Sequence, residues 1–259
     1  SGKTWLVSLY CVVRCILFPG TKICIVSGYK SQSLECIQKI EEDFMKNYSW
    51  GSINLCAEIS DISTSINNAH CEFRNGSWVK IVTASDAARH NRANIVCVDE
   101  FRMVDLNILN TVIRKFLTAP RSPGYLSKPE YEHLAERNCE LYMSSAWFTS
   151  HWSYKKLQTY FSLMLNDKKK YFCCGLPYQL AIKEGLLFRE QVEDEMSEAD
   201  FDATSFSMEM GALWLGDSDD AFFKFDDISP RRKLKHSYFP LEIYKAHRIK
   251  IPPLALNER

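Results

Sequence analysis

The run Ile95–Val98, followed at once by Asp99 and Glu100, restricts the fold more than any other feature of this sequence. Four apolar residues, three of them β-branched, predict a short strand that is buried on both faces. Two carboxylates at its end predict a site at the carboxyl edge of a parallel sheet, where α/β proteins bind ligands. Such a pair suits phosphoryl chemistry, because one carboxylate can hold Mg²⁺ while the next orients or deprotonates water. Taken alone, the run could also be a strand that ends in an ordinary polar turn.

A second motif, Gly2-Lys3-Thr4, stands directly before the apolar stretch from Trp5 to Phe18. It matches the last three positions of the phosphate-binding pattern GxxxxGK[ST] at the start of a helix. Gly2 would let the backbone approach a phosphate, Lys3 would reach the β- and γ-phosphates, and Thr4 would place its hydroxyl on Mg²⁺. The two motifs together predict a P-loop nucleotide hydrolase that uses ATP and Mg²⁺. We expect the front of the loop, and the strand before it, to precede Ser1.

Strand and helix patterns alternate along the first two thirds of the chain. The pattern predicts an α/β fold of the P-loop NTPase type (RecA- or ASCE-like), with a mostly parallel sheet and helices on both faces. The Asn75-Gly76 pair predicts a hairpin between Cys71–Phe73 and Trp78–Val82. The other predicted strands are Lys22–Ser27, Ala93–Val98, Leu141–Met143 and Tyr171–Cys174, and the other predicted helices are Trp5–Phe18, Leu34–Met45, Leu106–Leu117 and Tyr154–Leu165.

The pattern changes after Pro177, where short helical stretches alternate with acidic ones. We predict two units, an ATPase core over residues 1–176 and a small helical lid or linker over 177–259. Ser197 and Asp200 are candidate caps of a helix that runs toward Met210. The acidic segment contains Asp217, Asp219, Asp220, Asp226 and Asp227. These carboxylates are confined to one polar stretch, whereas two-metal nuclease sites gather carboxylates from several elements, so we expect no nuclease activity here.

Charge and cysteine content narrow the range of functions further. The 32 basic and 32 acidic side chains cancel, which argues against a protein that coats DNA but allows a local basic contact. The basic clusters 168–170 and 231–233 could contact phosphates or could simply be solvated. The ten cysteines form no CxxC pair, which favours reduced, buried thiols. No apolar run has the length of a membrane span.

Two further segments carry candidate site residues. The predicted strand Leu141–Met143 leads into Ser144, Ser145 and Ala146, a position where helicase-like motors sense the γ-phosphate; a plain exit from the strand is the alternative. Arg89 precedes the carboxylate-bearing strand and could act on a neighbouring subunit as an arginine finger, or it could be a solvated loop residue. Arg92 and Arg114 are weaker candidates for that role.

The order of these motifs resembles the large terminase subunits of tailed bacteriophages. SGKT before WLVSLY is similar to their phosphate-binding loop, ANIVCVDEF to their carboxylate-bearing strand, DAARHNRA to their Ala-Arg-Gly segment, LYMSSAWF to their coupling motif and EDEMSEADFDATSFSMEM to a later stretch. The chain departs from the family at His90, where glycine is common.

The resemblance implies an ATPase that drives double-stranded DNA into a preformed capsid as a homo-oligomeric ring. Lys3 and Thr4 would contact phosphate and Mg²⁺, Asp99 would be the metal carboxylate and Glu100 the catalytic one. Ser144–Ala146 would be the coupling motif and Arg89 the trans-acting finger. The implied partners are the portal protein and the small terminase subunit. The implied location is the bacterial cytoplasm, with transient docking on the procapsid and neither secretion nor membrane association.

Two other interpretations stay open at the level of sequence. A helicase-like nucleic-acid translocase would need a second RecA-like domain, for which the remaining residues leave no room. A non-hydrolysing, nucleotide-binding scaffold fits the intact Glu100 less well, because degenerate ATPases often lose that carboxylate.

Overall fold

The computed structural model describes residues 2–46, 53–166 and 170–216. Its six strands are β1 Lys22–Ser27, β2 Ile59–Ser63, β3 His70–Phe73, β4 Trp78–Thr83, β5 Ile95–Val98 and β6 Cys139–Tyr142. Its α-helices are α1 Lys3–Leu17, α2 Lys30–Lys39, α3 Ile53–Glu58, α4 Leu106–Thr111, α5 Trp152–Met164, α6 Tyr178–Lys183, α7 Arg189–Ser197 and α8 Ala203–Glu209. A π-helical turn, Ile40–Lys46, continues α2, and 3₁₀ segments cover Asp86–His90, Phe101–Met103, Ile113–Thr118, Gly124–Ser127 and Pro129–Leu134.

The strands form one sheet in the order β2-β3-β4-β1-β5-β6. The four strands β4, β1, β5 and β6 are parallel, whereas β2 and β3 add an antiparallel edge. The predicted hairpin is confirmed: β3 pairs with β4, and Gly76 between them has a φ of +81°, which only glycine adopts without strain. The predicted α/β fold with a mostly parallel sheet is therefore confirmed.

Each face of the sheet is covered by helical segments. On one face, Ile23 and Ile25 of β1 and Cys97 of β5 pack against buried residues of α1 and α2. On the other, Val96 and Val98 of β5 pack against residues of α4 and of the 3₁₀ segment that follows it. Because both faces are buried, the central strands are continuously apolar, which is why β5 was recognisable from its sequence.

Helix α1 follows from the spacing of its small and apolar residues. Val7, Ser8, Cys11, Val12 and Cys15 are buried and recur at intervals of three and four, so they form one stripe toward the sheet. The helix ends at Leu17, because proline at position 19 and a glycine with a φ of +76° at position 20 turn the chain into β1. All ten cysteines of the chain are free thiols, and Cys56 and Cys174 are the exposed ones.

Three local predictions were wrong. The helix predicted over 106–117 breaks at Val112, since Thr111, Val112 and Ile113 are β-branched in succession and a 3₁₀ segment then carries Phe116 into the core. No strand forms over 171–174, where the Cys173 N–H group bonds to Met164 Sδ at 3.2 Å rather than to a neighbouring strand.

The third wrong prediction concerns the cap of α8. Ser197 is the last residue of α7, and its hydroxyl donates to the carbonyl of Asp194. The cap of α8 is Asp202, whose side chain accepts hydrogen bonds from the backbone N–H groups of Thr204 and Ser205 at 2.9 and 3.2 Å.

Several sequence predictions lie partly or wholly outside the described residues. They are the acidic segment 217–227, the basic segment 231–233, residues 168 and 169 of the other basic cluster, and the last part of the unit predicted over 177–259. The division at residue 176 stays a prediction. Among the described residues, no helix has the length and apolar composition needed to cross a bilayer.

Candidate nucleotide site

The carboxyl ends of β5 and β6 bring two of the predicted motifs side by side. The strands pair in parallel, and the pairing continues beyond them: Met143 N donates to Val98 O, and Phe101 N donates to Met143 O, both at 3.0 Å. Glu100 therefore lies next to Ser144 and Ser145. Chain segments more than 40 residues apart meet here because parallel neighbouring strands end at the same edge of a sheet.

Lys3 connects the third motif to this edge. Its Nζ donates to Oε1 of Glu100 at 3.1 Å and to Oγ of Ser145 at 3.2 Å. The other carboxylate oxygen of Glu100, Oε2, accepts a hydrogen bond from Oγ of Ser144 at 3.0 Å. The structure thus places four predicted site residues in one hydrogen-bonded group, in which Lys3 neutralises Glu100.

The backbone of Glu100 has an uncommon conformation, with φ 44° and ψ 52°. A non-glycine residue in this left-handed region costs about 1 kcal/mol or more and persists only where its surroundings impose it. Here the Glu100 N–H group donates to Oδ1 of Asp99 at 3.0 Å, and the following residue, Phe101, is tied to Met143. This turn directs the Glu100 side chain toward Lys3 and Ser144.

The start of α1 has the properties of a site for an anion. Among the described residues, no side chain caps its first turn and no acidic residue lies in that turn, so its N–H groups and the positive end of the helix dipole are available. A Cβ atom built on Gly2 would meet no atom of the described residues within 4 Å. A pocket of about 320 Å³ lies here, lined by Lys3, Thr4, Gln32, Glu35, Asp99 and Glu100.

Asp99 is the most buried carboxylate of this group, with 7% of its surface exposed. Burial is the main cause that raises its pKa above the ordinary range, and the neighbouring charge of Glu100 is the next. Burial makes the charged form of this carboxylate unfavourable unless a positive charge lies beside it, so the position suits the binding of a cation. The part of the chain that the structure describes holds no cluster of three or more His, Cys, Asp or Glu side chains fit for a metal ion. Thr4 and Asp99 nevertheless fit Mg²⁺, which binds through one or two protein oxygens together with substrate phosphates.

Replacing Asp99 by asparagine is expected to stabilise the nucleotide-free protein at neutral pH. Since the pKa of Asp99 is raised in the folded state, its charged form costs free energy of folding, and this cost grows as pH rises through the folded pKa. The melting temperature of the Asp99→Asn variant should exceed that of the wild type by about 2–4 °C, which corresponds to about 1 kcal/mol. The difference should shrink toward pH ~4, where unfolded aspartate becomes protonated.

The matched control for this experiment is Asp194→Asn, an identical change at an exposed position of α7. It should leave the melting temperature nearly unchanged. A stabilisation of Asp99→Asn that does not vary with pH would contradict the electrostatic explanation.

Two predicted site residues lie apart from this group. Arg89 is exposed in the 3₁₀ segment before β5, where its guanidinium pairs with Asp86 at 2.7 Å and approaches the Thr111 carbonyl at 3.5 Å. Ala146 is buried, and it contributes its backbone carbonyl, which accepts from Nη1 of Arg102 at 3.3 Å. Arg92 hydrogen-bonds to the carbonyls of residues 89 and 91.

Four residues of the site were not found by sequence reasoning. Gln32 and Glu35 reach the pocket from α2, and Arg102 and Glu209 form an ion pair beside Glu100. Arg102 follows Glu100 by only two positions, so the sequence alone could have indicated that it lies near the site. Glu209 is 107 residues away from Arg102 in the chain, and no local pattern indicates the contact.

The fold and the arrangement of this edge define the class first: an α/β domain with a mostly parallel sheet, whose strand ends and first helix gather the predicted site residues. No protein-family model and no curated protein sequence matches the chain. Several solved structures are similar to it. The chain is similar to the large terminase from a thermophilic bacteriophage, with a TM-score of 0.52 and 10% identity over 83% of this chain and 46% of that one. A second crystal form of that terminase gives a TM-score of 0.50 and 9% identity over 80% and 43% of the two chains.

The large terminase ATPase domain of a Thermus phage is similar as well, with a TM-score of 0.50 and 14% identity over 83% of this chain and 85% of that domain. The chain thus spans less than half the length of the complete terminase and most of the length of the isolated ATPase domain. At these identities the likeness concerns the fold. The chain has the fold of a phage large terminase ATPase domain, as its motifs predicted.

Proposed function

We propose that this protein hydrolyses ATP and is the motor domain of a terminase large subunit that drives double-stranded DNA into a procapsid. The observation that carries the proposal is the meeting of Lys3, Glu100 and Ser145 at the uncapped start of α1, within a terminase ATPase fold. A lysine, an uncapped helix start and a strand-end carboxylate are the groups that phosphoryl transfer to water requires.

The contacts of Lys3 support a simple order of events. In the structure, Lys3 occupies one oxygen of Glu100, which ties up a lone pair that the attacking water would need. The phosphates of ATP present more negative charge than one carboxylate, and so they draw Lys3 away. Glu100 is then free to orient the water and accept its proton. ATP binding thereby releases Glu100 from Lys3.

Mg²⁺ would be held by Thr4 and Asp99 and would supply charge neutralisation at the phosphates. Both residues line the same pocket as Lys3. The chain buries Asp99 at that position, which disfavours its charged form, and a bound cation would remove this cost.

Ser144, Ser145 and Ala146 are proposed as the coupling motif. Ser145 already bonds to Lys3, and Ser144 to Glu100, so a change in either side chain reaches this segment directly. The carbonyl of Ala146 continues the path to Arg102.

Arg89 is proposed as the finger that acts on the nucleotide of a neighbouring subunit. Its guanidinium is exposed and held by one exposed carboxylate, Asp86, so it can leave that partner at little cost. A finger in trans requires a homo-oligomeric ring. The proposed assembly also includes the portal protein and the small terminase subunit, on a procapsid in the bacterial cytoplasm.

The experiment that tests this proposal measures Mg²⁺-dependent ATP hydrolysis by the full-length protein, with and without double-stranded DNA. We expect hydrolysis, a rate that changes with double-stranded DNA, and a disproportionate loss when Arg89→Ala subunits are mixed into wild-type rings. Arg189→Ala, the same change at an exposed position of α7, is the matched control for the finger. Binding of ATP without turnover would contradict the proposal in favour of a nucleotide-binding scaffold. Stimulation by single strands alone would favour a helicase-like translocase.

A further inference from the structure

Arg102 lies between two carboxylates that come from different parts of the chain. Its Nη2 donates to Oε1 of Glu209, in α8, at 2.5 Å. Its Nε is 3.6 Å from Oε2 of Glu100, which is just beyond hydrogen-bond length. Arg102 therefore has a close, hydrogen-bonded partner in α8 and a second, longer ion pair with Glu100 in the nucleotide site.

The surroundings of Arg102 hold its guanidinium between these two carboxylates. Its side chain is 13% exposed, its guanidinium stacks 4.3 Å from the ring centre of Trp147, and Nη1 donates to the Ala146 carbonyl. Nε is buried and has no hydrogen-bond acceptor among the described residues. A buried donor without an acceptor costs free energy, so a small displacement that lets Nε reach Glu100 is favourable in itself.

Glu209 is the group that opposes this displacement. Hydrogen bonds from Ser145 and Arg102 lower the pKa of Glu209 although partial burial acts against it, so the carboxylate stays charged and holds Arg102. It lies at the last residue of α8, a helix that also buries Phe206 and Met208. The packing of α8 through these buried residues therefore determines whether Glu209 is close enough to bond to Arg102.

We infer that Arg102 is a positioning residue through which the packed position of α8 controls Glu100. With α8 packed in place, Glu209 keeps Arg102 from closing on the Glu100 carboxylate. This inference rests on the proposed ATPase function and adds its regulation. When α8 moves away, Arg102 closes on Glu100, and its Nε takes up a lone pair of Oε2 that would otherwise orient the attacking water. When α8 is seated, Glu100 is available and hydrolysis proceeds.

The coupling acts in both directions. Once ATP draws Lys3 away, Glu100 loses its nearest cation and attracts Arg102 more strongly. This attraction weakens the hold of Arg102 on Glu209, so α8 is easier to displace while ATP is bound. Hydrolysis then waits for α8 to be seated again. Such a requirement links each turnover to a movement of the C-terminal helices.

The test compares steady-state hydrolysis by the wild type and by Glu209→Gln in the full-length protein. The variant keeps the shape of the side chain and removes its charge, and the residue is 44% exposed at its side chain, so the fold should be retained. We expect kcat to fall about tenfold with KM nearly unchanged, because a carboxylate held by Arg102 orients the attacking water less often. Glu193→Gln, the same change at an exposed position of α7, is the matched control and should behave as the wild type.

The second arm separates coupling through Arg102 from a general loosening of α8. In an Arg102→Gln background, Glu209→Gln should cause no further loss, because the residue that transmits the effect is gone. If Arg102→Gln does not fold, as judged by circular dichroism, Arg102→Lys serves instead, since an ammonium cannot span both carboxylates.

The outcomes distinguish this inference from the proposed function. Unchanged kcat in Glu209→Gln, a change in KM alone, or an equal loss in the Arg102 background would overturn the inference while leaving the ATPase assignment intact. A wild type that does not hydrolyse ATP would overturn both.

Discussion

Replacing Glu100 by glutamine is expected to lower the rate of ATP hydrolysis by about 10²–10⁴-fold, while ATP binding stays close to that of the wild type. Glutamine retains the size of the side chain and one oxygen that can accept from Ser144, but it can neither take a proton nor carry the negative charge that orients water. The phosphate contacts proposed for Lys3 and the start of α1 do not involve Glu100. Single-turnover hydrolysis and equilibrium binding of a slowly hydrolysed ATP analogue measure the two effects separately.

The matched control is Glu72→Gln, the same substitution on β3, where the side chain is exposed and pairs with Lys80. It should leave hydrolysis unchanged. A Glu100→Gln variant that hydrolyses ATP at the wild-type rate would show that the carboxylate at the end of β5 is not the catalytic one. A variant that no longer binds nucleotide would instead place Glu100 among the structural residues of the pocket.

The features that were predictable from the sequence are those that one segment determines by itself. The buried run of β5, the helix after Gly2-Lys3-Thr4 and the hairpin at Asn75-Gly76 each have a pattern that few other structures satisfy. Their order along the chain was enough to predict a parallel sheet, and a parallel sheet places the ends of β5 and β6 at one edge.

What could not be predicted depends on partners elsewhere in the chain. The residues over 171–174 have strand-forming composition, but no strand lies beside them, and strand propensity without a partner decides little. The pair of Arg102 and Glu209 depends on how α8 returns to the sheet edge, which no local pattern specifies. The neutralisation of Glu100 by Lys3 likewise follows from the meeting of a helix and a strand 97 positions apart.

Replacing Lys3 by glutamine is expected to lower kcat/KM for ATP hydrolysis by at least about 10²-fold. Two charge-assisted hydrogen bonds to phosphate, each contributing about 1.5–3 kcal/mol, account for a loss of this size. The fold should be affected little, because the Lys3–Glu100 pair is partly exposed, and such pairs contribute at most about 1 kcal/mol. Lys80→Gln, which removes an exposed lysine from β4, is the matched control and should retain activity.

Whether hydrolysis rises or falls in the Lys3→Gln variant shows which of two roles of Lys3 dominates, the restraint of Glu100 or the binding of phosphate. If Lys3 only restrains Glu100, its removal frees the carboxylate, and hydrolysis should rise at saturating ATP. If Lys3 also binds the phosphates, the loss of transition-state stabilisation exceeds the gain from a free Glu100, and hydrolysis falls at every ATP concentration. We expect the second result, because the uncapped start of α1 has no other lysine or arginine lining its pocket among the described residues. Without Lys3, the charge that develops on the transferring phosphoryl group would lack a protein side chain to balance it.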